Sequence, residues 1–233
     1  MIKLKHMKFD SANHWNASCL RHPNDRDASN YAKDKEDLFP RNSVICDFGC
    51  SDGVDSLYFL KKGHNVHLFD VADLALKRAE ENIKRYKEFE NKFTTQVIDA
   101  SEENIPIQDS FFDIFYARLS VHYFKPDRTI EVLKDIFRVL KKGGTAYIVV
   151  KSPKDKKELG WLKSQSKEIS PGVYDKSGLI QTRYTKEQYK EFLKKAGIID
   201  YEIGDYIENF TNQKTYVKSG AEKLLYIEII IKK

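Results

Sequence analysis

A glycine turn between an apolar run and a helix is the feature that most constrains this fold. The apolar residues 44–48 lead into the turn 49–53, Gly-Cys-Ser-Asp-Gly, and the next apolar run, 66–69, ends in Asp70. In an open parallel sheet, ligands bind beyond the carboxyl ends of the strands, where glycine lets the backbone come close and a carboxylate can accept ribose hydroxyls. The two signals together predict a site for a cofactor that contains adenosine.

The spacing of the glycines argues against a nicotinamide or flavin cofactor. Those cofactors bind to G-x-G-x-x-G, whose extra glycine admits a pyrophosphate at the helix N-terminus. Here three residues separate Gly49 from Gly53, and one of them, Asp52, would repel a pyrophosphate.

Apolar runs alternate with helical periodicities from residue 43 onward, which predicts βα units and a parallel sheet. The predicted strands are 44–48, 66–69, 93–98, 112–117 and 145–150. Two further runs, 200–207 and 224–231, are joined without a helix, so we expect them to pair antiparallel. The fold class is therefore α/β, a doubly wound and mostly parallel sheet with helices on both faces.

The remaining segments are expected to elaborate one domain that spans residues 1–233. Residues 1–42 precede the cofactor-binding core, 43–151, and form an N-terminal cap or lid. Residues 152–184 are rich in Ser, Lys, Gly and Pro with little periodicity, which predicts an inserted loop or lid. In the remainder, 185–233, a capping box at Thr185 and Gln188 opens a helix that precedes the final strand pair.

Composition excludes several classes of protein. The net charge of +5 comes from 40 basic and 35 acidic residues that are mostly interleaved, so nucleic acid is an unexpected partner. No run reaches the ~18 apolar residues of a membrane span, and the start lacks the apolar stretch of a secretory signal. Three cysteines without metal-ligand spacing fit a reducing cytoplasm and predict no metal site.

Five motifs in order resemble those of the class I S-adenosylmethionine-dependent methyltransferases. They are D-x-G-C-x-x-G at 47–53, the acid Asp70, the pair Asp99-Ala100, the passage from Ile105-Pro106 to 111–118, and L-K-K-G-G at 140–144. The resemblance covers about residues 43–151. It implies a Rossmann-like seven-stranded sheet with an antiparallel last strand, and S-adenosylmethionine as the cofactor.

The resemblance also assigns cofactor contacts to individual residues. Asp70 would hold the ribose hydroxyls, unless it only caps the next helix, and Asp99 would reach the adenine amine, unless it only forms a turn. Asp47 would orient the glycine turn or meet the ammonium group. The full expected set is Trp15, Asp47, Gly49, Cys50, Gly53, Asp70, Val71, Asp99, Ala100, Arg118 and Leu119.

The catalytic residues are harder to predict, because a sulfonium carries its own leaving group and the protein mainly aligns the reactants. The loop after the fourth strand offers His122, either as a proton acceptor or as a packing residue, and Tyr123, which would shape the methyl site. Trp15 would fold over the cofactor or pack on the sheet edge.

The resemblance implies methyl transfer to a small-molecule acceptor. An RNA acceptor, tRNA or rRNA, and a non-catalytic cofactor-binding protein are the alternatives. The nucleophilic atom and the oligomeric state stay open.

Overall fold

The computed structural model describes residues 9–23, 26–210 and 223–233. The helices are α1 (Ser11–Cys19), α2 (Asn30–Glu36), α3 (Val54–Lys61), α4 (Asp73–Ile83), α5 (Pro126–Val139), α6 (Lys156–Gln165) and α7 (Lys186–Lys195). The strands are β1 (Val44–Phe48), β2 (Asn65–Asp70), β3 (Phe93–Val97), β4 (Phe112–Arg118), β5 (Leu140–Lys151), β6 (Lys167–Ser170), β7 (Val173–Lys176), β8 (Leu179–Thr182), β9 (Tyr201–Asn209) and β10 (Lys223–Lys232).

Seven strands form one sheet in the order β3-β2-β1-β4-β5-β10-β9. The first five are parallel to one another, whereas β10 pairs antiparallel with both β5 and β9. The predicted α/β sheet with a reversed end is therefore confirmed. The strand order reverses between β1 and β4, and this switch point places the carboxyl ends of both strands beside an open crevice.

Helices cover both faces of the sheet, as predicted. Side chains of α5 and α7 belong to one apolar cluster, and those of α2, α3 and α4 belong to the other. The capping box of α7 forms as expected: the Thr185 side chain accepts from the Gln188 N–H, and the Gln188 side chain accepts from the Thr185 N–H.

Of the two alternatives for residues 153–182, an inserted loop or a lid, the loop was wrong, and the lid stays a prediction. This segment contains α6 and a separate three-stranded antiparallel sheet, β6-β7-β8. Each of these strands is only four residues long, so it is too short to show a clear alternation. Contacts with distant elements stabilise this small sheet instead. For example, the Thr182 hydroxyl donates a hydrogen bond to the backbone oxygen of His122, 60 residues away.

The N-terminal segment contains α1 and α2, which flank the open crevice. Asn16 of α1 donates to the carboxylate of Asp73 at 2.7 Å and accepts from the backbone N–H of Leu74 at 3.0 Å. These two bonds fix α1 on the first turn of α4. Most of the polar linker between β9 and β10 lies outside the described residues.

Candidate active site

The glycine turn after β1 adopts backbone conformations that favour glycine. Gly49 has φ +76° and Gly53 has φ +71°. A Cβ atom on Gly49 would lie 2.5 Å from the Cβ of Ser120, and one on Gly53 would lie 2.7 Å from the Cβ of Ala79. Both glycines are thus required by packing within the protein, a reason that sequence reasoning missed when it considered only the approach of the cofactor.

Asp70 lies at the end of β2 and faces the glycine turn. Its carboxylate accepts from the backbone N–H of Ser51 at 2.8 Å and from that of Ala72 at 2.9 Å. Burial raises the pKa of Asp70, while these backbone hydrogen bonds oppose the rise. A carboxylate offers about four acceptor sites, so two remain for ribose hydroxyls. Capping of the turn and binding of a ribose are therefore compatible.

Asp47 lies beneath the turn and is almost fully buried. Burial, and next the charge of Asp55, raise the pKa of Asp47 to about 8, although a hydrogen bond from Ser56 at 2.5 Å opposes the rise. At neutral pH this carboxyl group is mostly protonated. A cation in the adjacent cavity would favour its ionised form.

Asp99 and Ala100 follow β3 at the same edge of the sheet. The Ser11 hydroxyl of α1 donates to Asp99 at 3.2 Å, and the Arg128 guanidinium donates to the backbone oxygen of Ala100 at 2.8 Å. Asp99 also accepts from its neighbour Ser101, as a turn-forming aspartate does. The turn-forming role of Asp99 is therefore present, and its contact with the adenine amine stays a prediction.

The role expected for Asp52 needs correction. Its carboxylate is 3% exposed and forms an ion pair with Arg26, and Arg78 lies 3.9 Å away. The charge that we expected to repel a pyrophosphate is therefore neutralised. The spacing of Gly49 and Gly53 alone disfavours a nicotinamide cofactor. Arg26 precedes the core in an irregular stretch, where no sequence signal indicated it.

Aromatic rings extend from the N-terminal segment over the crevice. Trp15 of α1 packs edge-on against Tyr123, with ring centroids 4.8 Å apart, and His14 packs against Trp15 at 4.9 Å. Phe9 contacts the turn between β7 and β8 at Gly178. The N-terminal segment and the insertion after β5 therefore meet above the same crevice.

His122 and Tyr123 lie differently, although they are adjacent in sequence. Tyr123 lines the crevice, whereas the His122 ring is fully buried and neither of its nitrogens has a hydrogen-bond partner among the described residues. Burial, and next the charge of Arg183, lower the pKa of His122 well below its usual value. Burial raises the pKa of Tyr123 to about 12. His122 is consequently neutral and Tyr123 protonated at neutral pH.

Two largely buried groups of ion-paired side chains lie at the far side of the crevice, and sequence reasoning found neither. Arg183 and Lys151 both donate to the carboxylate of Glu158, and Arg118 donates to Glu208 at 2.6 Å. Arg118 was predicted to contact the cofactor, and its side chain does line the crevice. Lys151 could have been noticed, because it directly follows a predicted strand.

These groups surround one cavity of about 1280 Å³. All of the cofactor residues predicted from the sequence line it except Gly53, which supports the turn from behind. Leu119 contributes to the lining from a strained, left-handed backbone conformation with φ +58°. The residues expected to bind adenosine and methionine are thus brought together at the carboxyl edge of the sheet.

Comparison with known proteins gives the same assignment. The family model for the methyltransferase domain matches residues 45–144. A curated relative, the malonyl-[acyl-carrier protein] O-methyltransferase of Pectobacterium atrosepticum, is 30% identical over 111 residues, which are 46% of this chain and 39% of that protein. These matches identify residues 45–144 as a methyltransferase domain and support a class I S-adenosylmethionine-dependent methyltransferase.

Solved structures share the fold of this methyltransferase. An S-adenosylmethionine-dependent methyltransferase from Methanosarcina mazei matches 84% of the chain and 95% of its own length, with 21% identity and a TM-score of 0.64. The 1,6-didemethyltoxoflavin-N1-methyltransferase of Burkholderia thailandensis, bound to 1,6-didemethyltoxoflavin and S-adenosylhomocysteine, matches 96% and 84%, with 18% identity and a TM-score of 0.62.

The cofactor of the methyltransferase is S-adenosylmethionine, as the sequence motifs predicted. The cavity fits it: the acid at the end of β2 keeps free acceptor sites, and a buried carboxyl group lies where a cation would favour its ionisation. Within the described residues, no group of three or more His, Cys, Asp or Glu is placed to hold a metal ion. No helix in the described ranges has both the length and the apolarity to cross a bilayer.

Proposed function

We propose that this methyltransferase transfers the methyl group of S-adenosylmethionine to a small molecule that binds beside the cofactor. The observation that carries the proposal is the size of the cavity. Its volume of about 1280 Å³ exceeds the ~300–1,000 Å³ of pockets that bury one drug-sized ligand. The space beyond the cofactor residues is bounded by β5, α6 and β8, so it suits a small second ligand.

When bound, S-adenosylmethionine supplies a methyl group on a sulfonium that is its own leaving group. The protein then has to align the acceptor and exclude water. Trp15 and Tyr123 form one wall of the crevice, and Leu179 with Ile180 of β8 forms another. These apolar surfaces make a dry compartment around the acceptor.

A proton acceptor is the least supported part of the sequence hypothesis. His122 is buried behind the wall that Tyr123 forms, and it does not line the cavity. Tyr123 has a pKa of about 12, so its hydroxyl stays protonated at neutral pH and does not serve as a ready proton acceptor. In our proposal His122 supports the Tyr123 ring, whose centroid lies 4.3 Å from its own, and Tyr123 shapes the methyl site.

Relatives support a small acceptor without identifying it. The Burkholderia structure holds 1,6-didemethyltoxoflavin, and the Pectobacterium relative is an O-methyltransferase that acts on a malonyl group. The matched region spans only 39% of that second protein, so its acceptor is not transferred to this chain.

The direct test is incubation with methyl-labelled S-adenosylmethionine and a metabolite extract from the source cell. We expect the label in a small molecule. Label in tRNA or rRNA would favour the RNA alternative, and a mobility shift with bulk tRNA that weakens steeply as salt rises would support it. S-adenosylhomocysteine binding without any transfer would indicate the non-catalytic alternative.

A further inference from the structure

Charge is distributed unevenly around the cavity. Among the described lining residues of the far half, formed by the ends of β4 and β5, α6, β7, β8 and β10, five are basic and two are acidic. The basic residues are Arg118, Lys151, Lys157, Lys176 and Lys223, and the acidic ones are Asp155 and Glu158. The opposite half carries the aspartates that face the cofactor. The far half therefore attracts anions.

The most buried part of this charge is a group of three side chains, Lys151, Glu158 and Arg183. Glu158 accepts from Lys151 Nζ at 2.8 Å, from Arg183 Nε at 2.8 Å and from Arg183 Nη2 at 2.5 Å. The Arg183 side chain is 0% exposed and that of Glu158 10%. Arg183 holds both oxygens of the carboxylate, which fixes Glu158 in place.

This group carries one more positive charge than negative charge. Burial alone would raise the pKa of Glu158, but the hydrogen bond from Arg183 and the charge of Lys151 hold it below its usual value, so Glu158 is ionised. Two cations therefore share one carboxylate. Burial, and next the charge of Arg183, lower the pKa of Lys151. The charges of Glu158 and Asp155 oppose this shift in the pKa of Lys151. An anion beside Lys151 would favour its charged form and balance the charge of the group.

Lys151 is the cation that is placed to meet this anion. It lines the cavity together with Glu158, and its side chain is 23% exposed, whereas Arg183 is sealed behind Glu158 and does not line the cavity. An ammonium has three donors, and one of them is used by Glu158. Two donors of Lys151 remain for a ligand in the cavity.

We propose that the methyl acceptor is an anionic small molecule whose carboxylate or phosphate group binds to Lys151 in the far half of the cavity. This inference rests on the proposed function and specifies its substrate class. It also explains why a largely buried cationic residue ends β5 at the wall of the cavity.

The test separates the metabolite extract on an anion exchanger at pH 8 into retained and unretained fractions. Each fraction is incubated with the intact protein and methyl-labelled S-adenosylmethionine. We expect labelled product from the retained fraction. Label only from the unretained fraction would overturn the anionic acceptor and leave methyl transfer standing. No label from either fraction would overturn the proposed function itself.

Variants then test Lys151 with the acceptor-active fraction as the probe. Lys151→Met should raise the apparent KM for that fraction at least tenfold, with the affinity for S-adenosylhomocysteine unchanged, and Lys151→Arg should restore most of the loss. Lys154→Met is the matched control, because Lys154 lies three residues away, is 57% exposed and does not line the cavity. An unchanged KM in Lys151→Met would contradict the assignment. Weaker binding of S-adenosylhomocysteine in that variant would instead assign Lys151 to the cofactor's own carboxylate.

Discussion

The two halves of the cavity are built in different ways. The cofactor half contains strand ends and the turns that follow them, and the acid that ends β2 is held there mainly by nearby backbone. Asp70, for example, accepts from backbone atoms only 2 and 19 residues away. In the far half, Glu158 meets Arg183 across 25 residues, and Arg118 meets Glu208 across 90. This difference fits our proposal that the cofactor half binds S-adenosylmethionine and the far half determines which acceptor binds.

The largest effect is expected in the glycine turn. Gly49→Ala should lower the free energy of unfolding by about 2–4 kcal/mol, because the new Cβ meets Ser120 and the backbone has a positive φ. Gly143→Ala is the control, since Gly143 has φ +81° but no atom within 4 Å of its Cβ position. It should lose only about 1–2 kcal/mol.

Urea unfolding measures both variants, and adding Ser120→Gly to Gly49→Ala should recover part of the loss. Equal losses in Gly49→Ala and Gly143→Ala would show that the Ser120 contact does not constrain the turn. The cofactor half would then be less rigid than its geometry indicates.

The next effect concerns Asp70. Asp70→Asn should weaken binding of S-adenosylhomocysteine by about 2–3 kcal/mol, because charge-assisted hydrogen bonds to the ribose are lost. Asp109→Asn is a suitable control, since the Asp109 side chain is 75% exposed and lies outside the cavity. Calorimetry would exclude Asp70 from the site if both variants bound as the natural protein does.

A smaller effect is the release of a proton when the cofactor binds. The pKa of Asp47 is about 8 in the folded protein, above the ordinary 3.8, so between these values the folded state holds a proton that the unfolded chain releases. Its contribution to stability is therefore complete below pH about 4 and is lost as the pH rises to about 8. A bound ammonium group should reverse this preference.

Calorimetry at pH 7 in two buffers of different ionisation enthalpy measures the proton. Binding of S-adenosylhomocysteine should release a fraction of one proton, and Asp47→Asn should abolish the release. A release that persists in Asp47→Asn would assign the proton to another group.

The smallest effect is expected at His122. His122→Asn should lower turnover less than tenfold, and the natural protein should show no fall in activity as pH drops through the usual histidine range, because burial already keeps the ring neutral. The KM for the cofactor should not change. A loss of about 10²–10⁴-fold with a histidine-like pH profile would restore His122 as the proton acceptor.

The parallel sheet, its reversed end and the cofactor half could be predicted from the sequence. Buried strands, glycine turns and the acids that follow them are local signals, because a strand end and the next turn are fixed by adjacent residues. This is why Asp47, Asp70 and Asp99 could be named before their positions were known. The antiparallel pairing of β9 and β10 followed from the sequence between them, which predicts no helix.

The conformation of the insertion after β5 and the long-range side-chain pairings are determined by the tertiary structure alone. The insertion after β5 has strands of four residues, which are stabilised by contacts with distant elements rather than by their own pattern. Tertiary structure also turns Tyr123 toward the cavity while it buries His122. It pairs Arg26 with Asp52. It brings Lys151 and Arg183 to the same carboxylate, that of Glu158. Such pairings depend on which side chains the folded backbone brings within a few ångströms, and residues far apart in sequence carry no local signal of that proximity.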